Sequence, residues 1–409
     1  MTLAGFITGA DIARLDNYAF RKVMNALLTV EASIHSVSLT DLDLSSRDND
    51  PDKGIDAMVK WPADAPQEIL QAGQNAVQYK SGKLPSGVLG KEFQKQGVQE
   101  VLRSGGNYII FVGHDYPQSS TKKLLGDLTK LCQSQGFDPQ KCRLIVGGSI
   151  ATWVSRHLAV MMMPELRKNL PAFTTIEEWR SLPSLKNPWK PDQARADIIQ
   201  RVRELLRAVD KDPVIRIEGP AGAGKTRLAL ECVIESGIAD RTVYAPNGDS
   251  ENVERLLAAI RVTPGACAIV VVDECDRDRQ DVVKRSAELA QGRLRLLCVG
   301  PRDVLFDSSA NFTHVFQLPL LSEDKVREAL KAEMTNAPPE IIEAAARLAG
   351  GYVKLAFFVT TCLLRKKHVL PSEIGNIPDI RQFLNQFMKE KSLKALRAVS
   401  LFARLGWED

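Results

Sequence analysis

The chain has 409 residues, 44% of them hydrophobic and 25% charged. That is long enough for two or three domains of roughly 100–200 residues each, and the balance excludes disordered, collagen-like and coiled-coil chains. Fifty-four basic residues against fifty acidic ones leave a formal charge of +4, too small for a general affinity for polyanions, so any nucleic acid must be bound by a local surface.

Seven cysteines without CxxC or Cys/His ligand spacing fit reduced thiols better than a disulfide framework or a zinc site. The longest apolar runs, 158–163 and 266–272, fall short of the roughly 18 residues that cross a bilayer. The N-terminus carries neither a basic n-region nor a small-residue cleavage site. The expectation is a cytoplasmic protein with no membrane contact.

In chain order, residues 1–173 predict a first α/β domain. Phe20, Val23, Met24, Leu27 and Leu28 recur at helical spacing, and Ser45–Gly54 clusters Asp, Asn, Pro and Gly as a loop. Strand patterns follow at Ile55–Trp61 and Asn75–Lys80, a helix over Val88–Leu102, and a buried strand within Asn107–Asp115. Residues 174–193, with Pro183, Pro188 and Pro191, predict an extended linker. A charged helix from Ala194 and the apolar strand Val214–Gly219 open a second α/β domain, 194–320. Residues 321–390 read as helices throughout, and 391–409 as a further amphipathic helix.

The strongest motif is GPAGAGKT, comprising Gly219, Pro220, Ala221, Gly222, Ala223, Gly224, Lys225 and Thr226, with Arg227 following, set between a strand and a helix. Its glycines let backbone N–H groups turn toward phosphate oxygens, Lys225 reaches the β- and γ-phosphates of ATP, and the Thr226 hydroxyl faces Mg²⁺. Some fifty residues on, AIVVVDECD holds Asp273 and Glu274 at the end of an apolar strand. There Asp273 orders the metal and Glu274 serves as general base toward the attacking water. Arg302, after the strand RLRLLCVG, is a candidate γ-phosphate sensor. The tetrapeptide DECD is also similar to that of RNA helicases, as is SSA at Ser308–Ala310, but the helical character beyond Leu320 leaves no room for a second RecA-like domain.

From Pro191 to Asp409 these motifs resemble the STAND class of signal-transduction NTPases, relatives of AAA+ proteins. The resemblance implies a P-loop NTPase with a helical lid, Pro319 near the adenine, and GGYVKLA (Gly350–Ala356) as a form of the family's GLPLA motif. It further implies that 391–409 opens a winged-helix domain, with a sensor for a phage protein beyond it.

In the first domain, Asp56 follows a glycine in KGIDAMV, and Gln78 and Lys80 share one face of NAVQYK because strand side chains alternate. A carboxylate, an amide and an ammonium at one sheet edge suit a Mg²⁺-dependent nuclease: Asp56 and Gln78 hold the metal and Lys80 stabilises the hydroxide or the pentavalent phosphate. Lys53, Lys60, Lys80, Lys83, Lys91 and Lys95 could line a duplex phosphate track or simply a solvated face.

The arrangement resembles PD-(D/E)xK, Mrr-like restriction or antiphage nucleases over about Leu15–Val112. Where that family has a helical glutamate this chain has Arg21, which leaves Glu31, later in the helix, to complete the shell. Together the resemblances imply an Avs-type antiphage protein of α/β class, with a restriction-endonuclease-like domain followed by a STAND NTPase. ATP binding would drive homo-oligomerisation, for instance into a tetramer, and clustered nuclease domains would then cut double-stranded DNA. The alternatives are a nucleotide-switched scaffold with a catalytically silent N-terminal domain, and a restriction-type motor ATPase. Trp153, Arg156, His157 and Met161–Met163 read as packing residues.

Overall fold

The computed structural model describes residues 3, 6–44, 54–85, 87–167, 173–182, 185, 191–208, 214–246, 251–275, 277–301 and 312–365. Arg302, Ser308–Ala310 and the segment 391–409 lie outside the described residues. The chain divides into two compact units, the first made of Met1–Lys186, Gln193–Glu218 and Lys225–Gln317, the second of Asn187–Asp192, Gly219–Gly224 and Leu318–Asp409.

The first unit opens with α1 (Gly9–Ala13) and α2 (Asn17–Ile34). Asp16 caps α2 by accepting the Ala19 N–H at 2.8 Å, and the apolar stripe Phe20, Val23, Met24, Leu27 and Leu28 is buried as its spacing predicts. A mixed sheet follows in the spatial order β1 (Leu42–Leu44), β2 (Ala57–Trp61), β3 (Gly73–Lys80), β4 (Asn107–Val112) and β5 (Cys142–Val146). The first three strands are antiparallel, with Leu42 opposite Val59 and Ala57 opposite Val77. β4 runs parallel to β3, and β5 to β4, because α3 (Val88–Phe93), α4 (Gln96–Arg103) and α5 (Gln118–Ser134) supply the crossovers.

The single helix expected over Val88–Leu102 is two. Lys95 adopts extended angles (φ −63°, ψ 139°) between them, and its side chain lies where a Cβ on Gly54 would be 2.2 Å away. Packing of Lys95 against that glycine outweighs the local helical preference.

After α6 (Gly147–Val154) and α7 (Leu158–Met161) the segment expected as linker begins instead with β6 (Thr174–Thr175) and α8 (Ile176–Arg180). Thr175 and Glu178 form a capping box, and β6 adds an antiparallel edge to the second sheet by pairing with β8 (Thr242–Ala245). α9 (Gln193–Arg207), β7 (Val214–Glu218), α10 (Lys225–Val233), α11 (Glu251–Val262), β9 (Ala268–Val272), α12 (Arg277–Leu289), β10 (Leu294–Gly300) and β11 (His314–Gln317) complete that α/β layer. Its order is β11-β7-β10-β9-β8-β6, parallel except for β6.

Residues 1–173, expected as a separate domain, share one hydrophobic core with this sheet: Phe20, Leu27, Trp153 and Met162 belong to the same buried cluster as Val243, Val270 and Leu296. Polar contacts tie the two regions as well, the Leu3 N–H donating to the Thr263 hydroxyl at 2.8 Å and the Ser33 hydroxyl to the Gly237 carbonyl at 2.7 Å.

In the second unit, α13 (Glu323–Glu333), α14 (Pro339–Ala349) and α15 (Val353–Arg365) bury Val326, Leu330, Ile342, Ala345, Ala356 and Val359 against one another. Ser322 caps α13, and α14 closes on Gly350 in a left-handed conformation. Among the described residues, no helix is long and apolar enough to cross a membrane.

Candidate functional site

β7 is buried along its whole length and leads directly into the GPAGAGKT segment and then α10. Gly222 (φ +79°) and Gly224 (φ +95°) take backbone angles that side chains resist, which lets successive N–H groups turn inward. Within the second unit, a Cβ on Gly219 would lie 3.1 Å from the Leu318 carbonyl, and Gly222 sits beside Lys354 and Tyr352 of the GGYVKLA segment. Pro319 follows Leu318 in the same unit.

In the first unit, Thr226 Oγ donates to Asp273 Oδ2 at 2.8 Å, joining the two groups expected around Mg²⁺. Tyr244 Oη donates to that same oxygen at 2.9 Å, and the Glu274 N–H to Asp273 Oδ1, also at 2.9 Å. Tyr244 stacks on Trp179 with ring centroids 3.8 Å apart, so α8 braces the Asp273 pair from behind. Glu274 is exposed and holds a left-handed φ of 52°, an angle that costs a non-glycine residue about 1–3 kcal/mol. Burial, with a smaller effect of Arg216, moves the Lys225 ammonium below its ordinary value, against the pull of Asp273 and Glu274. Arg227 turns away, pairing with Glu231 at 2.6 Å.

One hydroxyl and one carboxylate suit Mg²⁺, which keeps most of its waters and takes phosphate oxygens. Among the described residues there is no cluster of three or more His, Cys, Asp or Glu side chains placed to hold a metal, and a Mg²⁺–nucleotide complex does not require one.

At the first sheet, Asp56 is buried just ahead of β2. Its backbone N–H donates to the Val77 carbonyl at 2.8 Å, its Oδ2 accepts the Tyr79 N–H at 2.7 Å, and its Oδ1 pairs with Arg21 at 2.8 Å. Gln78 donates to Glu92 and accepts from the Tyr108 hydroxyl. Lys80 pairs with the same Glu92 at 2.8 Å, and Lys95 pairs with it at 2.6 Å. Burial alone would raise the Glu92 carboxyl, but hydrogen bonds from Lys80, Lys95 and Gln78 outweigh it and hold the group below the ordinary carboxylate value. Gln78 and Lys80 thus converge on Glu92, with Asp56 bonded to the backbone of the same strand. Lys60, Lys83 and Lys91 are exposed and Lys95 is half-buried; Lys53 lies outside the described residues.

Glu31 goes elsewhere. Ten residues along α2 from Arg21 is about 15 Å of helix, and Glu31 there accepts from Trp153 Nε1 at 2.6 Å and meets His157 Nε2 at 2.9 Å, with His35 at 3.4 Å. These groups line a cavity of about 250 Å³ together with Trp61, Arg156 and Cys267. Burial would lower His157, yet its contacts with Cys267 and Glu31 prevail and raise it to about 9.

Tyr244 and Glu92 escaped sequence reasoning. A tyrosine inside a short strand and a glutamate within a charged helix have no local signal, and Asp273, Gln78 and Lys80, which they meet, lie 12 to 29 positions away.

The buried strand, the G-x-x-x-x-G-K-T turn, the helix and the Thr226–Asp273 pair, with β10 lying between β7 and β9, make up a P-loop NTPase fold. A scan against protein-family models matches none, and no curated protein matches the chain. Among solved structures the chain is similar to C. elegans PCH-2, at 14% identity and a TM-score of 0.33 over 49% of this chain and 69% of that one. It is similar to a chain of the E. coli MS115-1 HORMA:CdnC:Trip13 complex, at 12% identity and a TM-score of 0.29 over 42% and 87%. A third is a DNA replication initiation factor, at 13% identity and a TM-score of 0.34, where the match covers 46% of this chain and 64% of that one. These neighbours are AAA+ ATPases. At these scores the likeness carries no argument of its own, and the class rests on the residues described above.

Proposed function

We propose that the protein is an ATP-controlled switch whose N-terminal sheet cleaves double-stranded DNA with Mg²⁺ on assembly of several copies, an antiphage activity triggered by a phage protein. The observation that carries it is the convergence at β3: Asp56 is bonded to the strand on which Gln78 and Lys80 alternate, and both of those reach Glu92. The Arg21 guanidinium beside Asp56 Oδ1 stands where a cation balances the carboxylate, and Asp56 and Gln78 would hold Mg²⁺ there. Bound metal would supply Lewis-acid activation of water and phosphate. Lys80 would then place its ammonium against the charge developing on the phosphate, kept in line by Glu92. At the second sheet, Lys225 and Thr226 would bind ATP with Asp273, and exposed Glu274 would take the proton of the attacking water. A single-strand cut becomes a double-strand break only when a second copy acts nearby, so assembly is the natural switch.

The test is supercoiled plasmid with Mg²⁺ and ATP at rising protein concentration. Cleavage should steepen with concentration and vanish in Lys80→Ala and Asp56→Ala. Cleavage surviving in Lys80→Ala would remove the site. A second reading, a silent DNA-binding or partner-binding unit, is favoured by the Arg21–Asp56 pair itself. It predicts duplex binding without Mg²⁺-dependent cutting, and no gain of cutting in Arg21→Ala.

A further inference from the structure

The first unit buries a cation within β7, the strand that precedes the phosphate loop in the chain. Arg216 lies in the middle of β7, 1% exposed, among apolar neighbours. A guanidinium keeps its proton, and a buried charge is tolerated only when paired and hydrogen-bonded. Its Nε pairs with Glu218 Oε2 at 3.3 Å, one terminal nitrogen donates to the Cys275 carbonyl at 3.4 Å, and the other donates to the Pro301 carbonyl at 3.0 Å. The Phe312 ring lies 5.8 Å from the guanidinium carbon.

Each partner has a definite place. Glu218 is the last residue before Gly219, Cys275 the second after Asp273, and Pro301 the one before Arg302. Because β10 separates β7 from β9, no ladder hydrogen bond ties the Asp273–Glu274 turn to the strand that feeds the phosphate loop. Arg216 makes that tie. Gly300 keeps the slot open. Its φ is ordinary, yet a Cβ there would lie 2.5 Å from the Cys275 carbonyl and 3.1 and 3.4 Å from the two terminal guanidinium nitrogens.

We propose that Arg216 is a positioning residue for the Mg²⁺–nucleotide complex, holding the turn after β9 and Pro301, next after β10, in register with β7. The inference rests on the P-loop reading of Lys225, Thr226 and Asp273. Its consequence is selective: losing Arg216 should weaken the contribution of Mg²⁺ to nucleotide affinity while leaving metal-free affinity in place. Outer partners of metal-binding groups typically matter by about 10–100-fold in metal affinity.

The experiment titrates a fluorescent ATP analogue into the full chain, with Mg²⁺ and with EDTA, and records the melting temperature alongside. The variants are Arg216→Lys, Gly300→Ala and the double variant Arg216→Met/Glu218→Leu, which removes both members of the buried pair so that no lone charge remains. The double variant and Gly300→Ala should lose about tenfold or more of the Mg²⁺-dependent tightening while binding in EDTA as the parent does. Arg216→Lys should recover part of it. A wild-type Mg²⁺ gain in the double variant, whatever its melting temperature, would make Arg216 a packing residue and overturn the proposal. A parent chain that binds no nucleotide would overturn the P-loop reading and this inference with it.

Discussion

His157 offers a quantitative test of how the N-terminal helices are joined to the second sheet. It is 3% exposed, sits against Glu31 of α2, and its backbone bridges to Cys267 just ahead of β9. The charged and titratable groups around it are Glu31, His35, Glu68, Arg156 and Cys267. With its value raised from 6.5 to about 9, the protonated ring favours the folded state. That stabilisation is complete below the unfolded value of about 6.5 and is lost as pH rises through about 9. At about 1.4 kcal/mol per pH unit, the change corresponds to roughly 3 kcal/mol. Urea unfolding at pH 6 and pH 9.5 should therefore show the wild-type chain losing about that much more stability than His157→Gln, which cannot carry the charge. Parallel pH profiles for the two proteins would refute the assignment of the charge to this ring.

Further outcomes are expected of four variants. Lys225→Ala should abolish binding of a fluorescent ATP analogue, and Asp273→Asn should spare metal-free binding but lose the Mg²⁺-dependent part; equal loss in both variants would separate Asp273 from the metal. Trp179→Ala removes a fully buried indole stacked on Tyr244 and should cost about 3–5 kcal/mol in urea unfolding, whereas a true linker residue would cost almost nothing. Gly351 has a φ of +90°, and a Cβ there would lie 2.6 Å from the Leu321 carbonyl. Gly351→Ala should thus speed amide exchange in α13–α15, and an unchanged exchange pattern would show that the close approach is not needed.

The phosphate loop, the Asp273–Glu274 strand end and the helices after Leu318 were legible in the sequence for one reason: each depends on residues within a few positions of one another. Glycines at set intervals make a phosphate turn wherever a strand precedes and a helix follows, and apolar residues at helical spacing mark a buried face. Gln78 and Lys80 were legible as sharing one face of a strand by alternation, whereas the bond from Asp56 to that strand was not.

What lay across the chain was not legible. Glu92 gathers Gln78 and Lys80 from 14 and 12 positions away, across the turn that joins β3 to α3. Arg21 meets Asp56 across 35 positions, and Glu31 meets Trp153 across 122. Residues 174–180 read as linker because two strand residues and a five-residue helix carry no periodicity, yet pairing with β8 and the Trp179–Tyr244 stack make them part of the sheet. Arg216 stands in an apolar strand where sequence alone marks it as an exception. Only the fold, by setting β10 between β7 and β9, brings the carbonyls of Cys275 and Pro301 to its guanidinium. Local spacing determines which backbone turns and faces can form, while the meeting of distant charges depends on burial, where an unpaired charge is too costly to persist.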